Sequence, residues 1–368
     1  MIPDRLTDRD LNRATLARQL LLQRRRISPL EAVSHLVGLQ AQNPLDPYLG
    51  LWSRVEDFDP NAVGRLLEDR FLVRMVVLRG TIHLVTADDS LLLRPLMQPV
   101  LDAELARHSE FAPLLVGVDL GPVLAFAAAA LSQRPLSGKN LRSTLSVHFP
   151  DVEAGALAYA CRCLLPLVQV PPRGVWGKAL EVTSTPVEAW LGRPLAPAPS
   201  IDALVMRYLA AFGPATVADV TTWSRLSGLA EVLDRLRPRL RTFKGDRARE
   251  LFDLPEAPRP DPDVPAPVRF LPEYDNLLLS HKDRARFGPT PTVSPSVNGV
   301  RRGAVLVDGR VAGWWHAERE SSSGRVSLIV EATPGPVRES ESLEAEARRV
   351  GGFWQRGPEP LEVRIVAT

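Results

Sequence analysis

The chain has 368 residues, which leaves room for two or three domains and a sizeable core. Hydrophobic residues make up 45% and charged residues 24%, an ordinary globular composition that excludes a disordered or collagen-like chain. The net charge of +2 at pH 7 arises from 45 basic and 43 acidic residues, and only four of the basic residues are lysines.

Three helices and two strands are predicted near the N-terminus, in a first unit over residues 1–115. The helices span 9–22, 29–41 and 60–69, and the strands are Val73–Leu78 and Ile82–Val85, with a turn at Arg79-Gly80-Thr81. Thr86 then caps a further helix. Helices followed by a strand hairpin are the layout of a winged helix.

A second unit with the same order is predicted over residues 116–197. Its helices are Ser137–Val147 and Asp151–Leu164, and its strands, Leu167–Val170 and Val175–Val182, enclose a turn at Pro171-Pro172-Arg173-Gly174. Proline-rich stretches at Arg193–Ser200 and Pro255–Pro267 indicate linkers on either side of the next unit.

The third unit, residues 198–262, has the clearest pattern. Thr216 and Asp219 form a capping box at the start of one helix, and this helix is predicted to end at Ser227-Gly228. A second helix, Leu229–Leu236, precedes strands Arg239–Phe243 and Arg249–Leu254, joined by a polar turn over 244–247. The prediction is therefore a mainly α fold with β wings (an α+β class), built from three tandem winged-helix units.

The C-terminal part, residues 263–368, is predicted to be a β-rich module with one helix, Ser340–Arg349. Asp308-Gly309 is a strong hairpin signal between two of its strands. The strands are predicted at Val268–Leu271, Ala304–Val307, Val311–Trp315, Val326–Glu331 and Leu361–Val366.

Several classes of protein are excluded by single features. The longest apolar stretch, Gly121–Leu131, is too short to cross a bilayer, and the charged N-terminus lacks a signal-peptide core, so we expect a cytoplasmic protein. The two cysteines, Cys161 and Cys163, have no His/Cys cluster beside them. We expect neither a metal site nor a cofactor. The arginine excess suits nucleic-acid phosphates, although codon usage in a GC-rich genome is the simpler explanation for part of it.

The segment from Ile27 to Pro44 holds the first candidate site. Ser28 and Glu31 form a capping box, and the apolar spacing that follows places Gln40 next on the same helical face. Because Pro44 disturbs the backbone before it, Gln40 and Gln42 are expected at a loosened helix end, where both amides could point one way. Solvated helix-end glutamines are the commoner outcome.

Six segments, taken in order, resemble the winged-helix DNA glycosylases of the AlkZ type, the azinomycin-resistance enzymes, whose relatives include the YcaQ-type enzymes. They are LNRATLARQLLL, GLQAQNP, VLRGTIHLVTADD, FGPATVADVTTW, FLPEYDNLLLSHKDRARF and VLVDGRVAGWW. The family's catalytic signature is Gln, an apolar residue, then Gln or Asp. Gln40-Ala41-Gln42 matches the two-glutamine form, so the resemblance implies that Gln40 and Gln42 are catalytic.

The resemblance implies hydrolysis of the N-glycosidic bond of N7-alkylated purines in double-stranded DNA, including bulky genotoxin adducts and interstrand crosslinks, in repair or self-resistance. An N7-alkylated purine is already cationic and leaves without protonation, so the enzyme must mainly place a water and stabilise the sugar cation. A glutamine carbonyl can orient that water. Asp46 is an alternative base or a cap of the turn Pro44–Pro47.

Lysine is scarce, which favours a monofunctional enzyme, because a lyase step needs an amine for its Schiff base. A distant lysine or the terminal amine could still supply it. We expect a monomer. The rival interpretation is a non-catalytic winged-helix DNA-binding protein or regulator, although helix Leu229–Leu236 offers mainly apolar and acidic residues for reading bases.

Nine further residues are candidates for DNA contacts. Arg79, Thr81 and His83 alternate at the first hairpin turn and could share one face, although a structural role for His83 is the simpler interpretation. The segment Leu279–Phe287 predicts a phosphate clamp or a solvated loop.

Either Arg173–Trp176 or Asn298–Arg302 could enter a DNA groove. Trp314-Trp315 is expected in the core rather than in base stacking. The candidates are Arg79, His83, Arg173, His281, Lys282, Arg284, Arg286, Arg301 and Arg302.

Overall fold

The structure is a computed structural model that describes residues 4–178, 180–246, 249–288, 301–319, 326–332, 341–355 and 361–367. Helices and strands are mixed throughout these ranges. None of the helices found there is long and apolar enough to pass through a membrane.

The helices cover much of the chain. They are α1 (Asp8–Arg18), α2 (Pro29–His35), α3 (Asp46–Trp52), α4 (Pro60–Glu68), α5 (Ala87–Leu96), α6 (Gln98–Arg107), α7 (Leu120–Gln133), α8 (Gly138–His148), α9 (Ala154–Leu164), α10 (Val187–Leu191), α11 (Ile201–Phe212), α12 (Val217–Ser224), α13 (Leu229–Leu236), α14 (Asn276–Leu279) and α15 (Glu341–Trp354).

Within the described residues, the strands form three sheets. They are β1 (Arg5–Leu6), β2 (Leu39–Gln40), β3 (Leu72–Val76), β4 (Ile82–Thr86), β5 (Leu136–Ser137), β6 (Leu167–Gln169), β7 (Thr183–Pro186), β8 (Arg241–Gly245), β9 (Glu250–Asp253), β10 (Arg269–Phe270), β11 (Gly303–Val307), β12 (Arg310–Arg319), β13 (Val326–Ala332) and β14 (Leu361–Ala367). The sheet orders are β2-β4-β3-β6-β7-β5, β1-β8-β9 and β10-β11-β12-β13-β14.

The largest sheet joins the first two predicted units. Its hairpin β3–β4 is the one predicted from the sequence, and β3 also pairs with β6, at Arg74↔Gln169 and Met75↔Val168. The second unit therefore extends the sheet of the first through continuous backbone hydrogen bonds.

The helix that precedes the glutamines is shorter than predicted. α2 ends at His35, not at residue 41, because Val37 and Gly38 adopt positive φ angles of 56° and 93°. A Cβ on Gly38 would lie 2.6 Å from Cγ1 of Val85, so the backbone approaches β4 at a point where only glycine fits. This turn sends the chain into β2, and Gln40 lies on a strand.

The second hairpin also differs from the prediction. Residues 171–177 form turns and a bend, with Gly174 and Gly177 at positive φ, and residues 180–182 belong to no strand. The strand that pairs with β6 is β7, at Gln169↔Ser184. The predicted turn is not free, since the carbonyl of Gly174 accepts a hydrogen bond from the Tyr48 hydroxyl at 2.7 Å.

The third unit follows its prediction closely. Thr216 and Asp219 form the capping box of α12, and α13 has the predicted bounds. β8 and β9 form the hairpin, and the short strand β1 pairs in parallel with β8. Arg247, the last residue of the predicted turn, lies outside the described residues.

The C-terminal module packs its sheet against α15 and against α3 of the first unit. Leu49 on α3 belongs to the same buried cluster as Trp315 and Val350. The contact is reinforced by Arg54, just beyond α3, whose guanidinium binds both carboxylate oxygens of the fully buried Asp275 at 2.7 and 2.9 Å. This packing fixes the segment after the glutamines against the C-terminal module.

Candidate active site

Gln40 lies on β2, an edge strand of the six-stranded sheet. It pairs with His83 on β4, and the amide N–H of Ala41 donates to the carbonyl of Ile82 at 2.7 Å. The carbonyl of Ala41 accepts from Arg74 at 2.9 Å. The backbone N–H and the backbone carbonyl of Ala41 are therefore both hydrogen-bonded, which fixes the backbone between the two glutamines.

The side chain of Gln40 is held by Arg79. Nη2 of Arg79 donates to Oε1 of Gln40 at 2.9 Å, and Nη1 donates to the carbonyl of Trp223 at 3.1 Å. Trp223 is in the last turn of α12, so this carbonyl lies at the negative end of the helix dipole and suits a cation. Arg79 is the turn residue between β3 and β4, with φ at 59°.

His83 completes this buried group as a neutral ring. Its Nδ1 lies 3.0 Å from the carbonyl of Thr81, which can only accept, so Nδ1 carries the proton and Nε2 accepts from Arg79 at 3.1 Å. Burial, followed by the charge of Arg79, lowers the pKa of His83 to about 3. His83 therefore stays uncharged at neutral pH and acts as an acceptor for Arg79.

Arg79 is buried with three neutral acceptors. Burial, followed by the charge of Arg225, lowers its pKa to about 10, which still leaves it charged at pH 7. Arg225 is exposed at the end of α12, where its backbone is left-handed. No local sequence signal singles out Arg225, because its proximity to Arg79 depends on how the third unit packs on the first.

Gln42 differs from Gln40 in its surroundings. Gln40 is 6% exposed and its carbonyl oxygen is bonded to Arg79, whereas Gln42 is exposed and makes no hydrogen bond within the described part of the chain. One amide of the pair is thus oriented by the protein, and the other is open to solvent or a ligand.

Asp46 lies at the first position of α3 and does not cap the turn before it. That turn is closed by Asn43, whose side-chain oxygen accepts from the backbone N–H of Leu45 at 3.1 Å. Asp46 is buried, and its Oδ2 has no hydrogen-bond partner among the described residues. Burial, followed by the charge of Glu273, raises the pKa of Asp46 to about 7.

Two members of the predicted phosphate clamp are enclosed by protein, which differs from the expectation of exposed cations. His281 is fully buried and bonded to the carbonyl of Phe212 at 3.1 Å. Arg286 donates to Oγ1 of Thr15 and to the carbonyl of Pro214. Burial, followed by the charge of Arg286, lowers the pKa of His281. In this conformation both residues tie the C-terminal module to the third unit.

The other predicted clamp residues reach the surface. Lys282 is exposed, and its backbone N–H donates to Asp219 at 2.8 Å. Arg284 is half-buried, and burial lowers its pKa. The segment therefore combines two enclosed residues with two that solvent can reach.

The remaining candidates differ in exposure and in their partners. Arg173 is half-buried beside the docked turn, Arg301 is exposed at 3.9 Å from Glu273, and Arg302 forms an ion pair with Glu331 at 2.6 Å. Of the other predicted groove segment, residues 298–300 lie outside the described residues. Trp315 is buried in the core, as the sequence favoured.

Comparisons with known proteins agree on one relationship. A family model described as "DNA glycosylase AlkZ-like" matches residues 33–353. Among solved structures, Streptomyces sahachiroi DNA glycosylase AlkZ matches with a TM-score of 0.76 at 24% sequence identity, over 98% of this chain and 100% of that one. This likeness shows a shared fold. No curated protein gives a significant match.

Proposed function

The chain belongs to the AlkZ-like family of DNA glycosylases, and on this basis we propose that it hydrolyses the N-glycosidic bond of N7-alkylated purines in double-stranded DNA. The preferred substrates are bulky adducts of an azinomycin-like alkylator, including interstrand crosslinks, and the role is self-resistance or repair. The observation that carries the proposal is the contrast between Gln40, whose amide is oriented by Arg79, and Gln42, whose amide is open.

Each glutamine has its own role. With Oε1 of Gln40 accepting from Arg79, the Nε2 amide protons of Gln40 remain to donate to the oxygen of the water. The carbonyl of Gln42, which has no protein partner in the described structure, accepts one of the water's protons. A water held by one donor and one acceptor keeps a lone pair to direct at C1′.

The reaction needs little acid catalysis. The C1′–N9 bond breaks with its electron pair passing to the purine, which neutralises the charge created by N7-alkylation. The water oxygen bonds to C1′, and its proton passes to solvent, because an amide is a poor general base. Gln42 therefore acts by orienting the water. Arg79 is a positioning residue that acts through Gln40.

The enzyme releases the base without cutting the backbone. A lyase step requires an amine near C1′, and the described contacts of Gln40 include no lysine. Lys178, one of the four lysines, is paired with Glu68 at 2.7 Å. Borohydride trapping of the enzyme on an abasic duplex should therefore yield no covalent product, and a trapped product would contradict the monofunctional mechanism.

DNA is proposed to contact basic side chains that solvent reaches. We assign phosphate contacts to Lys282, Arg284 and Arg301, together with Arg225 at the end of α12, because solvent reaches these side chains. The three helix-and-hairpin units, with boundaries near residues 115, 197 and 262, are proposed to be tandem winged helices of a monomer.

Base release from duplex DNA carrying N7-methylguanine tests the proposal. We expect release by the wild-type protein and its loss in Gln40→Ala and in Gln42→Ala, while Gln355→Ala, a half-buried glutamine at the end of α15, serves as the matched control. Tight, salt-sensitive duplex binding without release from either N7-methylguanine or a crosslinked duplex would favour a non-catalytic DNA-binding protein. Undiminished release by both variants would place the site elsewhere.

A further inference from the structure

The turn between β3 and β4 is strained at the arginine that orients Gln40. Arg79 and Gly80 both have left-handed backbones, with φ angles of 59° and 71°. A residue other than glycine rarely adopts this conformation, so the surrounding structure must hold it in place. The amide N–H of Gly80 donates to the carbonyl of Val77 at 3.0 Å, which closes the turn. This bond does not use the carbonyl of Gly80, whose direction depends on a different partner.

An arginine of the second unit binds that carbonyl. Nη2 of Arg162, on α9, donates to the carbonyl of Gly80 at 3.1 Å. Nη1 of the same guanidinium donates to Oε1 of Glu104, on α6, at 2.9 Å. The hydroxyl of Tyr159, one helical turn before Arg162, donates to the same carboxylate oxygen at 2.9 Å. Glu104 therefore holds the guanidinium of Arg162 with one of its nitrogens directed at the turn.

Glu104 also packs against the turn itself. A Cβ on Gly80 would collide with Oε2 of Glu104, so this position requires glycine for its space as well as for its φ angle. The turn and the pair of Arg162 with Glu104 are thus in close contact, and a displacement of one must move the other.

These contacts connect α9 to the catalytic amide. Arg162 binds the carbonyl of the residue that follows Arg79, and Arg79 donates to Oε1 of Gln40. The guanidinium of Arg79 lies at the end of a long side chain, so a small rotation of the turn displaces it far enough to break its hydrogen bond. A displacement of about 1 Å in a catalytic group is enough to slow a reaction substantially.

We propose that Arg162 is a positioning residue for base release, which acts through Gly80 and Arg79 on the amide of Gln40. The proposal rests on the proposed function and adds a residue of the second unit to it. Because this role requires no contact between Arg162 and DNA, loss of the side chain lowers the rate of the chemical step and leaves duplex affinity nearly unchanged.

The position of Arg162 allows a chemical rescue experiment. Arg162 and Tyr159 line a cavity of about 720 Å³, together with Val76 and Ile82 from the strands on either side of the turn. The side chain of Arg162 is 37% exposed, so solvent reaches it. In Arg162→Ala, free guanidinium can enter the vacated space and donate to both Glu104 and the carbonyl of the turn.

The experiment measures single-turnover base release from an N7-methylguanine duplex at saturating enzyme. We expect Arg162→Ala to be about tenfold slower than the wild type, with the Kd for duplex changed by less than about twofold. Guanidinium at millimolar concentration should restore most of the rate, whereas tetramethylammonium, which has no hydrogen-bond donor, should not. Arg94→Ala is the matched control, because Arg94 lines the same cavity and donates to carbonyls at the end of α9 but not to the turn. Its rate should equal that of the wild type.

Two further variants test the route and guard against misfolding. In an Arg79→Met background, Arg162→Ala should cause no additional slowing, because both changes act on the same contact. Glu104→Gln conserves shape but removes the charge that holds Arg162, and it should slow release about threefold. Unchanged release in both Arg162→Ala and Glu104→Gln overturns the proposal. Additive slowing with Arg79→Met, or a loss that guanidinium does not restore, also overturns it by assigning Arg162 a merely structural role.

A spectroscopic measurement separates this proposal from the proposed function. Nε2 of His83 accepts from Arg79 at 3.1 Å, so its nitrogen NMR signal reports the position of that guanidinium. The signal should shift in Arg162→Ala and return when guanidinium is added, whether or not the protein releases a base. An unmoved signal contradicts the positioning role. Absence of base release by the wild type from both N7-methylguanine and crosslinked duplexes contradicts the proposed function instead.

Discussion

Nη2 of Arg79 donates a hydrogen bond of 2.9 Å to Oε1 of Gln40, and both side chains are buried. An amide carbonyl that is engaged in this way cannot rotate to exchange its oxygen and nitrogen without losing the bond and leaving a buried cation short of an acceptor. Arg79 thereby fixes the orientation of the Gln40 amide and leaves its Nε2 protons free of this bond.

Replacing Arg79 should slow the chemical step more than it weakens DNA binding. Arg79→Met removes the donor to Gln40 and leaves the carbonyl of Trp223 unpaired. We expect single-turnover base release to fall about 10–100-fold, from a loss of roughly 1–3 kcal/mol. Arg65→Met, at an exposed helical position, is the control. A variant with normal release and normal duplex affinity would remove Arg79 from the mechanism.

Gln42 should tolerate a carboxylate but not a methyl group. Gln42→Ala removes the acceptor for the water and should lower base release about 100-fold or more. Gln42→Asp keeps an acceptor and adds a true base, so release should be retained and should increase as the new carboxylate ionises. The measurement is release from an N7-methylguanine duplex between pH 4 and pH 8. Equal rates for the two variants would argue against a water-orienting carbonyl at this position.

His83 should not titrate in the physiological range. Its pKa in the folded state is about 3, below the ordinary value of 6.5, so on lowering the pH the unfolded chain takes up a proton before the folded chain does. His83 therefore contributes stability above pH 6.5 that is lost as the pH falls toward 3. Nitrogen NMR of labelled histidine should show one ring with the proton on Nδ1 that stays neutral from pH 5 to pH 8. A titration of that ring within this interval would contradict the hydrogen-bond assignment.

Asp46 should make the protein less stable as the pH rises. Its folded-state pKa of about 7 lies above the ordinary value of 3.8, so between these values the folded state holds more protons and the free energy of unfolding falls with increasing pH. The full effect is up to about 4 kcal/mol at 1.36 kcal/mol per pKa unit. Urea unfolding of Asp46→Asn should lack this loss and should show higher stability than the wild type at pH 8. Parallel pH profiles of the two proteins would show that Asp46 ionises normally.

Local signals in the sequence predicted much of the fold. The capping boxes at Ser28 and Thr216, and the hairpin at Asp308-Gly309, depend on residues within a few positions of one another, and the structure contains all three. The resemblance likewise identified the family that the comparisons show. The end of α2 was misplaced because Gly38 is required by its approach to Val85, a contact distant in sequence.

The candidate site could be predicted only in part, because its contacts also join residues that are distant in sequence. Gln40 and Gln42 were found through the resemblance, but the bond from Arg79 to Gln40 joins residues 39 positions apart. The enclosure of His281 and Arg286 depends on α1 and α11 packing over them, which spacing within the segment does not reveal. A prediction based only on the charged residues of Leu279–Phe287 therefore overestimated how many of their side chains are exposed.

The shared sheet restricts how the protein can be divided or recombined. β3 is bonded to β4 on one side and to β6 on the other, and β1 pairs Arg5 and Leu6 with the hairpin of the third unit. Cutting the chain near residue 115 would expose the open edge of β3, which invites pairing with other chains. Backbone hydrogen bonds between strands thus join the units to one another. A functional domain transplant must therefore include the first two units together, and an N-terminal truncation that removes β1 would remove a strand from the sheet of the third unit and lower its stability.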